Sequence, residues 1–231
     1  PRSGRKETSS ELGTAEEVRV RIKNLDDVPV SGFTVAYSLN GQAPVTENVA
    51  TTVAAGAKFE HRFATPVDLS AVGTYNLTVY VSNNGDPNKA NDTIRTVVQQ
   101  IENAPLNLNS VFLDDLEAAL PVSYLRDTLG IRGAERYDFG RNTAFGRLRT
   151  YVNSGITASG SRAFTLDASR YTPLGNTNYL YGTYNLKNFA TATHDLRLDF
   201  RYKQHGQIPN PANRVWIRGS DTDPWIEAYN L

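Results

Sequence analysis

Cysteine and methionine are both absent from this chain of 231 residues. The lack of cysteine excludes disulfide-stapled domains and thiolate metal sites, but it does not exclude a location outside the cell. A chain that starts with Pro1 and contains no methionine is expected to be an excerpt of a longer protein. The first eleven residues lack the apolar core of a signal peptide, so we expect any targeting segment to lie outside this sequence.

Long apolar runs are missing as well, since none approaches the roughly 20 residues that a membrane span needs. We therefore predict no membrane insertion. Basic and acidic residues are balanced at 24 each, and a chain without net charge has no general attraction to nucleic acid or to anionic lipid. The composition therefore predicts no nucleic-acid partner.

Residues that carry catalysis are scarce. The three histidines, His61, His194 and His205, are scattered, and no zinc-binding, phosphate-binding or nucleophile-elbow motif occurs. The serines have no partner base in a recognisable arrangement. We therefore predict that the chain is not an enzyme and has no catalytic residues.

The most informative segment that is present runs from Gly73 to Val98, where two alternating strands flank one polar loop. Every second residue from Tyr75 to Val81 is apolar or aromatic and falls on one face, as in a half-buried strand. Asp68, Gly73 and Tyr75 together resemble the tyrosine corner that opens strand F of immunoglobulin-like sandwiches. We therefore assign structural roles to Gly73 and Tyr75.

The same alternation recurs across residues 12–101, with turn signals spaced by about 8 to 12 residues as in antiparallel sandwiches. Asn40-Gly41 is the strongest hairpin signal among them. These residues are predicted to form an immunoglobulin-like antiparallel β-sandwich, preceded by a frayed start at residues 1–11. The further predicted strands are 17–23, 32–39, 45–52 and 58–63.

Several short motifs follow one another along this first part. They are Val18 to Asn24 before a turn, Ser31-Gly32-Phe33 with Tyr37, Asn40-Gly41, Ala55-Gly56, Gly73-Thr74-Tyr75, and Asp86 with Asn91-Asp92-Thr93. In combination they resemble the bacterial cell-adhesion-related immunoglobulin-like modules known as CARDB. The resemblance covers about residues 12–100, and it implies a surface-exposed spacer or adhesion module without catalytic residues.

Residues 102–109 contain a proline and several asparagines between two strand-rich regions, which predicts a linker. Strands continue beyond it, and residues 110–231 are predicted to form a second β-sandwich of jelly-roll type. The whole chain is therefore predicted to be all-β. The predicted strands of the second part are 111–117, 146–152, 162–167, 178–186, 196–203, 214–218 and 225–231.

Four segments of this second part carry a further resemblance. They are an acidic first strand at Leu113 to Glu117, a small-residue stretch at Ala158 to Asp167, a strand at Leu198 to Tyr202, and a hairpin at Val215 to Trp225. Together they resemble the MAM-like and concanavalin-like jelly rolls of large proteins secreted by Bacteroidetes, many through the type IX route. Such domains continue after this hairpin, so the resemblance implies an incomplete domain and neighbouring domains on a longer chain.

Carboxylates cluster at the predicted first strand of the jelly roll. Asp115 and Glu117 share a face there, whereas Asp114 points away. Jelly rolls of the type that this part resembles often hold a structural calcium near the first strand. The resemblance thus makes Asp115 and Glu117 candidate calcium ligands, and solvated or hydrogen-bonded carboxylates are the alternative. No other cofactor is predicted.

Aromatic residues are frequent late in the chain. They are Tyr171, Tyr179, Tyr181, Tyr184, Trp216 and Trp225. Flat rings stack on pyranose rings while arginine binds the hydroxyls, which makes Tyr181, Trp216, Arg218 and Trp225 candidates for carbohydrate binding. Core packing of the same rings is the alternative.

Asp92-Thr93-Ile94 and Asp127-Thr128-Leu129 both match the Asp-Thr-aliphatic pattern at which Bacteroidetes attach glycans. Thr93 and Thr128 are therefore candidates for O-glycosylation, which requires both to be exposed. A pattern of three residues also arises by chance.

The sequence thus leads to two hypotheses about function. The first is a non-catalytic, extracellular or cell-surface spacer or adhesion segment of a large bacterial protein, serving gliding or attachment, with surface glycans or host surfaces as partners. The alternative is a carbohydrate-binding accessory segment of a secreted polysaccharide-degrading enzyme. An exposed aromatic strip with adjacent arginine and aspartate would favour the alternative, whereas two elongated, end-to-end domains with buried rings would favour the first hypothesis.

Overall fold

The computed structural model describes residues 12–107, 111–152, 155–170, 175–204, 212–220 and 223–231. The predicted frayed start lies outside these residues. Their regular structure consists of strands in antiparallel sheets and a single 3-10 turn at Lys89–Asn91, which confirms the predicted all-β class. The chain divides into two compact units, with residues 12–101 in unit one and the later described residues in unit two. No helix among the described residues is long and apolar enough to cross a membrane.

Unit one is a sandwich of a four-stranded and a two-stranded sheet. Its strands are β1 (Arg19–Lys23), β2 (Phe33–Leu39), β3 (Val45–Val49), β4 (Lys58–Arg62), β5 (Gly73–Ser82) and β6 (Thr93–Gln100). The larger sheet has the order β3-β2-β5-β6, and β1 pairs with β4. One continuous core lies between them, with Val18, Val35, Leu69 and Leu77 almost fully buried.

The hairpin between β2 and β3 follows from its sequence. Asn40 and Gly41 have φ angles of 51° and 75°, the left-handed conformation that a type I′ turn requires at both central positions. The amide of Gln42 donates to the Leu39 carbonyl at 2.9 Å and closes the turn. This predicted hairpin is confirmed.

A corner before β5 holds Tyr75. Its hydroxyl donates to the Ala71 carbonyl at 2.6 Å, and its half-buried ring packs against the core. Gly73 begins β5 opposite Gln100 of β6. A tyrosine hydroxyl that bonds backbone four residues upstream is the arrangement expected of a tyrosine corner.

His61 joins the two sheets of unit one. Its Nε2 lies 2.9 Å from the Glu47 carboxylate on β3, and its ring meets Phe63 edge-on at 4.8 Å. The other Glu47 oxygen accepts from the Ala64 amide at 2.9 Å. His61 thus connects β4 with the edge strand of the larger sheet.

The two outward faces of unit one differ in charge. The face of β1 and β4, which we call the basic face, carries only charged side chains: Arg19, Arg21, Lys23, Lys58, Glu60 and Arg62, with Glu17 just before β1. The outward face of the larger sheet, the neutral face, carries mainly hydroxyl and amide side chains: Thr34, Ala36, Ser38, Thr46, Asn48, Thr74, Asn76, Thr78, Tyr80, Ser82, Thr93, Arg95, Val97 and Gln99. Arg95 is the single charged residue on the neutral face.

Unit two contains shorter strands in three small antiparallel sheets. They are β7 (Ser123–Tyr124), β8 (Tyr137–Arg141), β9 (Gly146–Arg149), β10 (Thr165–Ala168), β11 (Asn178–Gly182), β12 (Arg214–Ile217) and β13 (Ile226–Asn230). The pairings are β10-β9-β7, β11-β8 and β12-β13. Ile131, Phe139 and Leu148 are fully buried and form the core.

A second aromatic group closes this core. Tyr137 contacts Phe164 edge-on at 5.0 Å, and its hydroxyl lies 2.8 Å from that of Tyr184. Burial raises the pKa of the Tyr137 phenol well above its usual range, with the Tyr184 hydrogen bond as the next cause. Tyr184 is thus a half-buried neighbour of Tyr137, which packs against the core.

The segment predicted as a linker packs within unit two. The Leu106 amide donates to the Asn185 carbonyl at 2.9 Å, and the Asn185 side chain donates to the Asn103 carbonyl at 2.9 Å. The Asn188 side chain donates to the Leu106 carbonyl at 3.1 Å. Residues 103–106 of the predicted linker are therefore held by hydrogen bonds to Asn185 and Asn188 of unit two.

Two predicted strands do not form. Residues 111–117 carry apolar and acidic side chains, and residues 196–203 alternate apolar and polar side chains, yet neither segment is paired with another strand among the described residues. Leu198 and Phe200 remain 62% and 52% exposed. Periodicity alone gave the wrong structure here because a strand also needs a neighbour that offers backbone hydrogen bonds.

Candidate functional site

Two tyrosine rings on β11 are stacked with nearly parallel planes. Tyr179 and Tyr181 are two residues apart, so they project to the same face of the strand, and their ring centroids are 6.0 Å apart with planes inclined by 17°. Gly140 of β8 pairs with Tyr179. A Cβ at Gly140 would lie 3.4 Å from the Tyr181 ring and 3.7 Å from the Tyr179 Cβ. The two tyrosines thus lie directly against the backbone of β8 at Gly140.

Trp225 and Arg218 extend this aromatic surface from the β12–β13 hairpin. The Trp225 ring centroid lies 6.3 Å from that of Tyr181. The Arg218 guanidinium carbon lies 4.4 Å from the centre of the Trp225 ring, a distance at which a cation is attracted to the ring face. We call Tyr179, Tyr181, Trp225 and Arg218 the ring strip.

Exposure separates the ring strip from ordinary core aromatics. Tyr179 is 43% and Trp225 42% exposed, although each of these rings contacts the ring of Tyr181. Large rings left in water are available to an external ligand. The strip can therefore offer stacking surfaces together with the guanidinium donors of Arg218.

The sequence-predicted carbohydrate residues are only partly brought together. Tyr181, Trp225 and Arg218 meet, whereas Trp216 is 49% exposed on β12 without a ring contact to them among the described residues. A register shift between Val215 and Trp216 interrupts the alternation of β12. Tyr179, rather than Trp216, lies beside Tyr181. Its spacing of two residues from Tyr181, which places both on one face of a strand, was the sequence feature that could have identified it. Tyr171 lies outside the described residues.

Glu117 is held by a chain segment more than 40 residues away. Its carboxylate accepts from the Ser161 amide at 2.8 Å, the Ser161 hydroxyl at 2.6 Å and the Arg162 amide at 2.9 Å. The Ser161 hydroxyl, followed by the two backbone amides, holds the pKa of this carboxyl below its usual range. Gly160 permits the approach, because it has a φ of 63° and a Cβ there would clash with the Glu117 carboxylate.

The candidate calcium ligands are thus placed differently from the strand prediction. Asp115 accepts from the Glu117 amide at 3.1 Å, a turn contact rather than a shared strand face. No group of three or more His, Cys, Asp or Glu suited to a metal ion occurs among the residues that the structure describes. Calcium binding by Asp115 and Glu117 stays a prediction.

We expect Glu117 to make unit two sensitive to acid. Because its folded pKa lies below the ordinary value of 4.5, its contribution to stability is present above that value and is lost as the pH falls through the folded pKa. Melting of unit two at pH values from 7 down to about 3 should show this loss, and Glu117→Gln should weaken the pH dependence. Addition of calcium or chelator in the same series tests the metal prediction.

Asp199→Asn is the matched control, because the Asp199 carboxylate is 72% exposed and its one ion pair within the described part of the chain is with Arg197 at 2.8 Å. Its pH dependence should equal that of the parent chain. A Glu117→Gln variant with the parent's acid sensitivity would show that the contacts to Ser161 and Arg162 do not contribute to stability.

The two candidate glycosylation sites differ in access. Thr93 is exposed at the start of β6. Thr128 is half-buried, its hydroxyl donates to the Arg126 carbonyl at 3.1 Å, and its backbone pairs with Phe139. Thr93 is therefore more exposed than Thr128, and glycosylation of both stays a prediction.

Comparisons with protein families and with curated proteins give no relative from which a role could be transferred. No protein-family model matches the chain, and no curated protein matches its sequence. The residues themselves must therefore carry any functional conclusion.

Proposed function

We propose that this chain is a non-catalytic adhesion segment of an exported bacterial protein and that the ring strip of unit two binds carbohydrate. Unit one would act as a rigid sandwich in the polypeptide, and unit two would contact glycans outside the cell. The resemblances of both parts to modules of secreted proteins support this location. The exposed ring strip is the observation that carries the binding role.

The physical argument rests on complementary surfaces. The less polar face of a pyranose ring packs on an aromatic ring, and the sugar hydroxyls need hydrogen-bond partners once they leave water. Tyr179, Tyr181 and Trp225 supply several ring surfaces in succession. Arg218 supplies N–H donors next to Trp225. A ligand with several linked sugars fits such a row better than a single sugar does.

The second candidate function is an accessory segment of a secreted polysaccharide-degrading enzyme. The same exposed rings favour it over a plain stalk, since a stalk needs no aromatic residues in water. The two proposals differ in what else the longer polypeptide carries, and both predict glycan binding without turnover by this chain.

Trp225→Ala is expected to weaken glycan binding at least about tenfold, which corresponds to about 1.4 kcal/mol. The loss of the stacking surface and of the Arg218 contact is the reason. Binding of the full chain to a panel of soluble polysaccharides, followed by calorimetry with the best ligand, measures this, and product analysis in the same samples tests for turnover. Tyr179→Ala should act in the same direction.

Tyr229→Ala is the matched control, because Tyr229 is 63% exposed on β13 but lies outside the ring strip. It should bind as the parent chain does. Failure of the parent to bind any glycan, or an equal loss with Tyr229→Ala, would refute the ring strip as the binding surface. Turnover abolished by a substitution in this chain would refute the non-catalytic proposal.

A further inference from the structure

The basic face concentrates positive charge in a unit that is slightly acidic as a whole. Residues 12–101 contain seven basic and nine acidic residues. Five of the seven basic residues lie on the basic face, with only Glu17 and Glu60 as counter-charges. A solvated strand face normally mixes the two signs. This segregation requires an explanation that overall charge does not give.

The arginines at one end of the basic face share the two carboxylates. Glu17 lies 2.6 Å from Arg19 and 3.8 Å from Arg62. Glu60 lies 3.5 Å from both Arg21 and Arg62. These contacts partly neutralise the charge of the three arginines.

The lysines at the other end have no such partner. Lys23 and Lys58 are directly paired across β1 and β4, and neither ammonium forms an ion pair with any residue that the structure describes. Like charges opposite each other on a sheet destabilise it. Such a pair is readily relieved by an anion that contacts both ammonium groups.

We propose that the basic face binds an acidic polysaccharide and that Lys23 and Lys58 together hold one of its sulfate or carboxylate groups. Alternate residues of a strand lie about 6.6 Å apart, so Arg21 stands one such step from Lys23 on the same face. A linear chain with repeated anionic groups can contact both in succession. This site is independent of the ring strip, which lies in unit two.

The composition of the basic face favours a polysaccharide over other polyanions. Its outward positions on β1 and β4 hold no aromatic ring on which a base could stack, since Phe59 packs against the core. They also hold no apolar side chain that could enter a lipid layer. Anionic vesicles and an oligonucleotide therefore serve as competing outcomes in the test.

The experiment measures binding of the full chain to dextran sulfate and to polygalacturonate, with neutral dextran as reference. The double variant Lys23→Gln/Lys58→Gln should lose at least about tenfold in affinity. Its plot of log affinity against log salt concentration should be less steep by about two, as expected for two lost charge contacts. Its melting temperature should not fall, because a repulsive pair has been removed.

Lys187→Gln/Lys203→Gln removes the same charge from exposed sites of unit two and should bind as the parent does. Trp225→Ala should also keep its binding to dextran sulfate, so failure of the ring strip and failure of the basic face are distinguishable. Equal affinities of the Lys23/Lys58 variant and the parent, an equal loss in the unit-two control, or tighter binding to the oligonucleotide or to anionic vesicles would overturn the proposal.

Discussion

Phe139→Ala should destabilise unit two by about 3 to 5 kcal/mol, the usual effect of removing a fully buried aromatic ring. The ring is 0% exposed and packs with Ile131 and Leu148, the other fully buried apolar residues of this small core. Single domains are stable by only about 5 to 15 kcal/mol, so the variant should be close to unfolding. Both tryptophans of the chain lie in unit two. Their fluorescence during urea denaturation therefore reports on this unit.

Leu198→Ala is the control for this measurement, because Leu198 is 62% exposed in the same unit. Its free energy of unfolding should change by less than about 0.5 kcal/mol, as for most surface substitutions. An unchanged fluorescence transition in Phe139→Ala would mean that the three buried residues do not form the core on which unit two depends.

Tyr75→Ala should destabilise unit one by about 2 to 3 kcal/mol, less than for a fully buried ring because Tyr75 is half-buried. Tyr75→Phe keeps the ring and loses only the bond to the Ala71 carbonyl, which should cost about 1 kcal/mol. Calorimetry or circular dichroism of the full chain measures both, since unit one lacks tryptophan.

Tyr80→Phe provides the comparison within the same strand, because Tyr80 lies on the neutral face of β5. It should leave the unit-one transition nearly unchanged. If Tyr75→Phe and Tyr75→Ala were as stable as the parent chain, the corner before β5 would contribute nothing to the stability of unit one.

The local sequence pattern was sufficient to predict those elements whose structure depends on local contacts. The alternation from Tyr75 to Val81 and the turn at Asn40-Gly41 predicted β5 and the first hairpin, because turn geometry and the burial of one face act within a few residues. The same alternation at 196–203 predicted a strand that is not formed. Whether a strand forms depends on its neighbour, and the neighbour is not encoded in the segment itself.

The candidate site depended still more on distant residues. The ring strip requires a hairpin that brings Trp225 to Tyr181. Glu117 could be recognised as a carboxylate of interest, but its donors at Ser161 lie 44 positions later. Composition identified the chemical groups in both cases, and only the fold decided which of them meet.

Positive charge that is concentrated on one side of the unit-one sandwich produces an electric dipole across its thickness. A dipole turns a molecule in the field of a charged surface before contact is made, and this raises the rate of productive encounters at low salt. The neutral face has almost no part in this steering. Unit one would therefore approach a polyanionic surface with β1 and β4 facing that surface. Added salt would lower the association rate constant more than it would raise the dissociation rate constant.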